Sequence, residues 1–281
     1  MESGITPESV AIVTDPCSNV TNTFKVRVPQ SEQKFDFIAC LSLQAPYYNF
    51  QELRESIEVN QMLGIQHYAI YYSTIGETVK KYLQFYKQQG LVSLYKWNTT
   101  QTVRRYSRNQ GKLSQYNDCV LRYKYSAKYV LFSNTNEVIV PRGFSTWQQF
   151  EENQPGGACA YLFQTATYWK DETSQNGSYS MFGFLTLQNT NRDRVIRSHD
   201  SRSRYLANVR YLKIAGDTKP IQCHPSGGTV LVNKDDILSH IYVDKVPKGY
   251  NSTVEDKTML KHGNYIGTRL LKVAQIVNAM K

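Results

Sequence analysis

The sequence lacks most of the patterns that betray a ligand or a membrane at first reading. No stretch reaches the roughly 18 consecutive apolar residues that a membrane-spanning helix needs, and the first thirty residues do not run from charged to apolar as a signal peptide does, so the chain reads as soluble. There is no GxGxxG and no GxxxxGK(S/T), which leaves dinucleotide and P-loop phosphate binding without support, and no GxSxG. Five cysteines (Cys17, Cys40, Cys119, Cys159 and Cys223) form no CxxC and no Cys/His pair at zinc spacing, which argues against structural zinc. Their odd number leaves at least one thiol free or bonded to another chain. Cys40, Cys119 and Cys159 lie in apolar surroundings that suit core residues better than ligands. No internal repeat, low-complexity segment or sharp change of composition divides the chain.

What is present is apolar and aromatic material. With 41% hydrophobic and 12% aromatic residues, 21 of them Tyr, the 281 residues describe a folded globular protein, and many of those Tyr suit the walls of a polar cleft. A formal net charge of +10 implies an anionic partner: nucleic acid, a membrane surface or a phosphorylated small molecule. The charge itself does not choose among these: the basic residues are scattered, densest in TVRRYSRNQGK (Arg104, Arg105, Arg108 and Lys112), no run forms a basic tail, and an ordinary solvated face accounts for them, with a nucleic-acid binder the least favoured functional reading. Four Asn-x-Ser/Thr sequons, at Asn19, Asn98, Asn176 and Asn251, stand in polar, turn-like surroundings that accept a glycan and lean toward the secretory pathway.

Strands and helices alternate through the first half. FDFIACLSL (35–43) reads as a buried strand, followed by a loop and a helix ended by Gly64, and QHYAIYY (66–72) as the second strand. Val79, Tyr82, Leu83 and Tyr86 fall at i, i+3, i+4 and i+7, an amphipathic helix stopped by Gly90, and LVSLYKW (91–97) is the third strand. Leu113, Tyr116, Val120, Tyr123 and Ala127 mark another helical face before YVLF (129–132). This β-α-β-α-β-α-β order predicts an α/β fold, a Rossmann-like, mostly parallel central sheet flanked by helices. Beyond Arg142 the pattern loosens: ACAYLF (158–163) and GGTVLV (227–232) read as strands and residues 170–180 and 188–204 as polar loops. The end, 255–281, carries a helical stripe through Leu270, Leu271, Ala274 and Val277. This second half is expected to build the other wall of a cleft.

The chemistry concentrates in KYVLFSNTNEVIVPR (128–142), where an apolar run stops at small polar residues and a carboxylate, then resumes. In open α/β sheets ligands bind outside the carboxyl ends of the strands, so Asn134, Asn136 and Glu137 sit where a site is expected, although an ordinary polar turn accounts for them equally well. Carboxylates at i and i+2 after a strand commonly hold Mg²⁺ or Mn²⁺ on a diphosphate, because hard cations prefer charged oxygens. Here those two positions are amides, which leaves Glu137 as the loop's one formal negative charge. His224, in IQCHPSGG, stands before a proline and a glycine pair, a loop setting open to a metal, a phosphate or a purely structural role. His240, in ILSHIY, suits partly buried packing.

Several blocks together resemble glycosyltransferase family 92, from about Phe35 to about Ala279. FIACLSLQAPYY with the helix ending QMLGIQHYAIYY is similar to the family's opening strand and helix, with Glu55 as its acidic residue. VKKYLQFYKQQGLVSLYKW resembles its helix-Gly-strand block ending at Trp97. YNDCVLRYKYSAKYVLFSNTNEVIVPR resembles the Asn-Asp-Cys helix and the strand leading to a DxDE-then-Pro motif. SRYLANVRYL with Cys223 and His224, and then ILSHIY, resemble two later blocks. The resemblance implies a single GT-A domain over 35–281 after an N-terminal extension (1–34), with a nucleotide-sugar-binding half (35–142) and an acceptor-side half (143–281). It also implies transfer of a hexose, usually galactose, from a UDP-sugar to a glycan, with Mn²⁺ on the DxD carboxylates, in the Golgi lumen behind a membrane anchor that this chain does not display.

This chain departs from the family at Asn134 and Asn136, at Arg204 where the family has Lys, and after HIY, where the family's Arg is absent. On the resemblance, Asn134, Asn136, Glu137 and His224 form the diphosphate and metal region. Arg104, Arg105 and Arg108 contact the pyrophosphate, and Asp171 or Glu172, chosen on their polar loop alone, serves as the acceptor-side base. The alternative is a member of the same family that binds a nucleotide sugar or a glycan without turnover.

Overall fold

A computed structural model describes residues 7–16, 18–28, 32–98, 107–170, 184–199, 203–244 and 252–280. Two short antiparallel strands, β1 (Ser9–Val10) and β2 (Phe24–Lys25), precede the main sheet. The alternating half follows: β3 (Phe35–Ser42), α1 (Phe50–Met62), β4 (His67–Tyr72), α2 (Glu77–Gln88), β5 (Val92–Lys96), a 3₁₀ turn (Arg108–Gly111), α3 (Lys112–Arg122) and β6 (Ala127–Ser133). The four strands lie in the order β5-β4-β3-β6 and are all parallel. The chain steps outward from β3 to β5, then returns to place β6 on the other side of β3. That reversal is a switch point, and it opens a crevice beyond the carboxyl ends of β3 and β6.

Six consecutive residues of β3 are buried, as expected of a parallel strand covered on both faces. Alternation divides them. Phe37, Ala39 and Leu41 join a core with Leu53 and Ile57 of α1 and Val79 and Leu83 of α2. Ile38 and Cys40 join a second core with Tyr116, Cys119 and Val120 of α3. The helix read through Tyr123 and Ala127 is shorter than its apolar stripe: it stops at Arg122, Tyr123 caps it, and Ala127 already begins β6. Apolar spacing at a helix end cannot be told from the first inward residue of the next strand.

The second half comprises β7 (Glu137–Pro141), α4 (Trp147–Glu152), β8 (Ala160–Trp169), α5 (Leu185–Gln188), β9 (Asn191–Asp193), β10 (Arg204–Asn208), β11 (Leu212–Ile214), β12 (Gln222–Cys223), β13 (Thr229–Leu231), β14 (Ile237–Val243), β15 (Thr253–Glu255), a second 3₁₀ turn (Thr258–His262) and α6 (Gly263–Ala279). β10 joins β6 antiparallel, β8 joins β10 antiparallel, and β13 and β14 both run parallel to β8, with β7 antiparallel to β14. The sheet is therefore parallel around β3 and mixed beyond β6, an α/β domain whose central sheet is flanked by helices. The segment read as a polar loop over 188–204 contains β9 and the first residue of β10. In α6 the buried stripe is Ile266, Leu270, Val273 and Val277, whereas Leu271 is 38% exposed.

Cys40, Cys119 and Cys159 are core residues, fully buried, and two disulfides join them there. Cys40 on β3 is bonded to Cys119 on α3, and Cys159 just before β8 to Cys223 on β12, with Cα separations of 6.4 and 6.1 Å. Cys17 lies outside the described residues.

Candidate functional site

The polar step forms a tight turn from the end of β6 into β7, closed by the Glu137 amide donating to the Asn134 carbonyl at 3.1 Å. Glu137 does not point into the crevice. Its carboxylate is 2% exposed and accepts from the Asn134 backbone N–H (3.0 Å) and side-chain amide (2.9 Å), and from both Nε and a terminal nitrogen of Arg204. Arg204 is the first residue of β10, the antiparallel neighbour of β6, so sheet pairing delivers its guanidinium beneath the turn. Burial alone would raise the Glu137 carboxyl, but the charge and hydrogen bonds of Arg204, with Lys112 and the Asn134 N–H, hold it below the ordinary carboxylate value. Burial opposes the Arg204 charge in turn, and Glu137 outweighs that and drives its pKa upward.

Asn134 bridges this anion to a cation. Its side-chain NH₂ donates to Glu137 while its Oδ1 accepts from the Lys112 ammonium at 2.8 Å, a double role that a carboxylate, which only accepts, cannot fill. Lys112 is the first residue of α3, its side chain 7% exposed, and it also pairs with Asp217 at 2.8 Å. Two features aim it there. Gly111, at φ 80°, takes the left-handed turn into the helix, and the Gln110 amide exchanges two hydrogen bonds with the Ala45 backbone (2.9 and 3.0 Å), pinning the helix start to the loop after β3. On the other side, a Cβ at Gly216 would strike the Lys219 carbonyl, and Gly216 is tied through its N–H and carbonyl to the Tyr205 hydroxyl, which seats the loop carrying Asp217.

The rest of the turn is anchored outward. Asn136 donates its amide to the Tyr242 carbonyl and accepts the Tyr242 N–H, both at 3.0 Å, stapling the turn to β14. The Thr135 hydroxyl donates to Glu52 on the first turn of α1 at 2.7 Å, and Lys170, just past β8, donates to the other Glu52 oxygen at 3.4 Å and pairs with Asp244 at 2.7 Å. Around these groups is a polar cavity of about 500 Å³ at the carboxyl ends of β3 and β6, walled by Ser42, Glu52, Lys112, Asn134, Arg204 and Asp217 among others.

Of the residues expected at a metal and diphosphate site, the structure brings together Asn134, Asn136 and Glu137 but not His224. His224 is exposed in the turn after β12, Nδ1 set 2.8 Å from the Ser226 hydroxyl, and is no part of the cavity wall. Nor do the residues present fit Mn²⁺. The Asn134 oxygen already faces an ammonium, Glu137 is neutralised by Arg204, and no group of three His, Cys, Asp or Glu suited to a metal occurs among the described residues. Arg104, Arg105, Asp171 and Glu172 lie outside the described residues, while Arg108 opens the 3₁₀ turn leading to Lys112. Glu52 and Asp217 carry no sequence signal, and Lys112 stands in the sequence only as one member of the basic group 104–112.

His240 belongs to a separate buried cluster. Its Nε2 is 3.2 Å from both the Arg142 guanidinium and the Tyr168 hydroxyl, and its ring stacks on Tyr168 at 4.4 Å. Asp256 accepts from Arg142, from Arg192 and from the Thr258 hydroxyl. Burial and then Arg142 push the His240 pKa down to about 3, so the imidazole is neutral and ties β7, β8 and β14 together.

Comparison with known proteins gives a consistent frame. Residues 35–265 match the family described as Glycosyltransferase family 92. Two curated proteins of Caenorhabditis elegans described as glycosyltransferase family 92 proteins are 27% identical over 124 residues and 26% identical over 120, covering 41% and 39% of this chain and 24% of each relative. The aligned part of the chain thus spans about a quarter of the length of these relatives. Among solved structures, S. aureus TarS 1-349 in complex with UDP-GlcNAc aligns with a TM-score of 0.43 and 10% identity over 84% of this chain and 66% of that one. The galactosyltransferase LgtC with donor and acceptor sugar analogs aligns at 0.37 and 9%, over 82% and 96%.

Proposed function

The chain belongs to glycosyltransferase family 92, and from that premise we propose that it is the donor-binding, catalytic domain of a hexosyltransferase that moves a hexose, galactose first among them, from a UDP-sugar to a glycan acceptor. The observation that carries this reading is the polar cavity of about 500 Å³ at the switch point of the sheet, a size and place suited to a nucleotide sugar. Transfer breaks the bond from the sugar's anomeric carbon to the diphosphate oxygen and forms one to an acceptor hydroxyl oxygen. It requires a base to take the hydroxyl proton and positive charge to neutralise the departing diphosphate. Asp171 or Glu172 serves as the base: both follow Lys170, whose ammonium bonds Glu52 on the cavity wall, so β8 ends beside the cavity. Arg104, Arg105 and Arg108, upstream of Lys112, meet the outer diphosphate oxygens. The two disulfides, with exposed sequons at Asn19 and Asn98, support folding in the secretory pathway, with the Golgi lumen as the site of action.

The test is incubation of the purified chain with a panel of UDP-sugars and glycan acceptors, products read by mass spectrometry. Galactose transfer is expected, and absence of transfer, of sugar release and of UDP binding would sink the proposal. A second reading, binding without turnover, is favoured by one observation, the amides at 134 and 136 with Glu137 locked to Arg204. Stoichiometric UDP-sugar binding without product would select it.

A further inference from the structure

A second cavity, of about 820 Å³, opens at the amino ends of the parallel strands, the opposite end of the sheet from the candidate site. Phe35 begins β3 on its wall and Ser42 ends the same strand on the other cavity, so the two lie roughly 23 Å apart. We propose that this second cavity binds an acidic oligosaccharide, a chain of sugar rings bearing sulfate or carboxylate groups. It stands apart from the transferase reading, because the two cavities share no lining residue.

Charge gives the sign of the ligand. Arg27, Lys34, Arg122 and Lys124 line the cavity against one carboxylate, Asp118, which is engaged within the wall: it accepts from the Tyr71 hydroxyl at 2.6 Å and from two nitrogens of Arg122. Lys124 donates to the carbonyls of Val209, Arg210 and Leu212, dipoles that leave its charge without a carboxylate. Arg27 and Lys34 are exposed and enter no ion pair among the described residues. An excess of positive charge thus faces one concave surface, which draws an anion. The surface is also held in shape: the backbone N–H groups of Lys34 and Phe35 both donate to the Ser126 carbonyl (2.8 and 3.0 Å), fastening the entry to β3 against the turn after α3.

The wall between the charges gives the body of the ligand. Tyr95, Tyr123 and Tyr125 offer hydroxyls on apolar rings, and Tyr125 is 57% exposed. The Tyr95 and Tyr123 hydroxyls lie 3.2 Å apart, and His67 Nε2 is 2.9 Å from the Ser93 hydroxyl. His67 Nδ1 faces the Gly90 carbonyl at 3.1 Å, and burial lowers the pKa of the ring, so His67 is a neutral hydrogen-bonding group and adds no charge. An acyl chain needs an apolar tube with its charge at one mouth. In this cavity hydroxyls and charges are spread among the rings, from Arg27 and Lys34 before β3 to Arg122 and Lys124 at the end of α3, which suits a body hydroxylated along its length. Stacked nucleobases fit less well, because Phe35 lies on His67 at 4.8 Å and the Arg122 guanidinium covers Tyr95 at 4.5 Å.

Calorimetric titration of the purified chain tests this with a heparin-derived hexasaccharide, its desulfated uronate-bearing counterpart, neutral chitohexaose and a single-stranded hexanucleotide. At least one acidic sugar should bind about tenfold or more tighter than chitohexaose and the oligonucleotide, and which one does so names the acidic group. Arg27→Glu with Lys34→Glu should weaken that binding at least about tenfold, and Tyr125→Ala about threefold or more. Lys81→Glu with Lys272→Glu makes the same charge change at exposed positions on α2 and α6, and should weaken it no more than about twofold. Equal weakening by the two double changes, oligonucleotide binding as tight as that of the sugars, or no binding of either acidic sugar overturns the inference. UDP affinity should be the same in every variant, and a parallel loss of it would place the effect on the other cavity and overturn the inference too. If UDP does not bind at all while the acidic sugar does, the transferase reading falls and this one stands. Every substituted residue is exposed, so thermal unfolding should report a folded chain throughout.

Discussion

Glu137→Gln should destabilise the chain far more than an isosteric change usually does. The substitution deletes the charge that is ion-paired with Arg204, at a position 2% exposed, and puts an amide NH₂ where only acceptors fit, facing either the Arg204 guanidinium or the Asn134 NH₂. Breaking a buried ion pair from one side costs about 3–5 kcal/mol. Arg204 keeps one partner, the Ser203 carbonyl at 2.9 Å, and its side chain is 10% exposed, so a value near 3 kcal/mol is expected, at the lower end of that range. Arg204→Met should cost a similar amount by stranding the carboxylate. Glu137→Gln with Arg204→Met removes both charges at once and should cost at least about 2 kcal/mol less than the two single changes summed. Urea unfolding followed by tryptophan fluorescence, at unchanged slope, measures all three. The pair should also respond to acid with a definite sign. The Glu137 pKa is depressed in the fold, so its stabilisation is present above the ordinary carboxylate value of about 4.3 and is lost as pH falls through the lower folded value, which makes the penalty of Glu137→Gln shrink in acid. A penalty under about 1 kcal/mol at pH 7, or strict additivity of the single changes, would refute the argument that the turn is built on this pair.

The buried imidazole of His240, with a folded pKa of about 3 against an ordinary value of about 6.5, makes the unfolded state the first to take up a proton. Stability should be full above that ordinary value and decline as pH drops from it toward the folded one, by up to about 1.4 kcal/mol per unit, and His240→Leu should flatten this slope in thermal melts from pH 7 to 5. Removing the Cys159–Cys223 bond with paired Ser substitutions reopens a loop of sequence separation 64 and should cost about 4 kcal/mol on the chain-entropy model. A loss under about 1 kcal/mol would show that the denatured chain is not constrained by that link. Secreted from a eukaryotic host, the chain should shift in mobility on enzymatic deglycosylation, and Asn98→Gln should remove part of that shift, because Asn98 is exposed just past the end of β5. An unmodified secreted product would contradict the accessibility assigned to that turn.

The parallel half of the fold is legible because β3, β4 and β6 are buried along most of their length and α2 and α3 each carry one apolar stripe. Residues 35–43, 66–72 and 91–97 were found to within a residue or so of β3, β4 and β5. In the second half 158–163 and 227–232 coincide with the start of β8 and with β13, whereas β10 and β14 are hidden for the opposite reason. β10 contributes Arg204 and Tyr205 to interior polar contacts, and β14 carries Ser239 and His240 inside the core, so neither shows a clean apolar run even though both are buried. The turn itself was found because it interrupts a strand. What it does was not, because the meaning of Asn134 depends on Lys112 and Arg204, which lie 22 and 70 residues away and arrive only through helix and sheet placement. The cysteine pairing was hidden in the same way: no local spacing announces a bond between residues 79 apart.

That bond, Cys40–Cys119, fastens the middle strand of the parallel sheet to the helix whose first residue is Lys112. The seven-residue step from Lys112 to Cys119 makes about two turns, roughly 10 Å, short enough that the helix cannot tilt at one end without dragging on the bond at the other. On the strand side, Cys40 is two residues from Ser42 on the cavity wall. The crosslink therefore works as a gauge block: it sets the distance from the end of β3 to the cation that faces the turn. Opened by a reductant, it would let that spacing wander while the rest of the sheet stayed folded, so the shape of the pocket is decided when the chain is oxidised, before any ligand arrives.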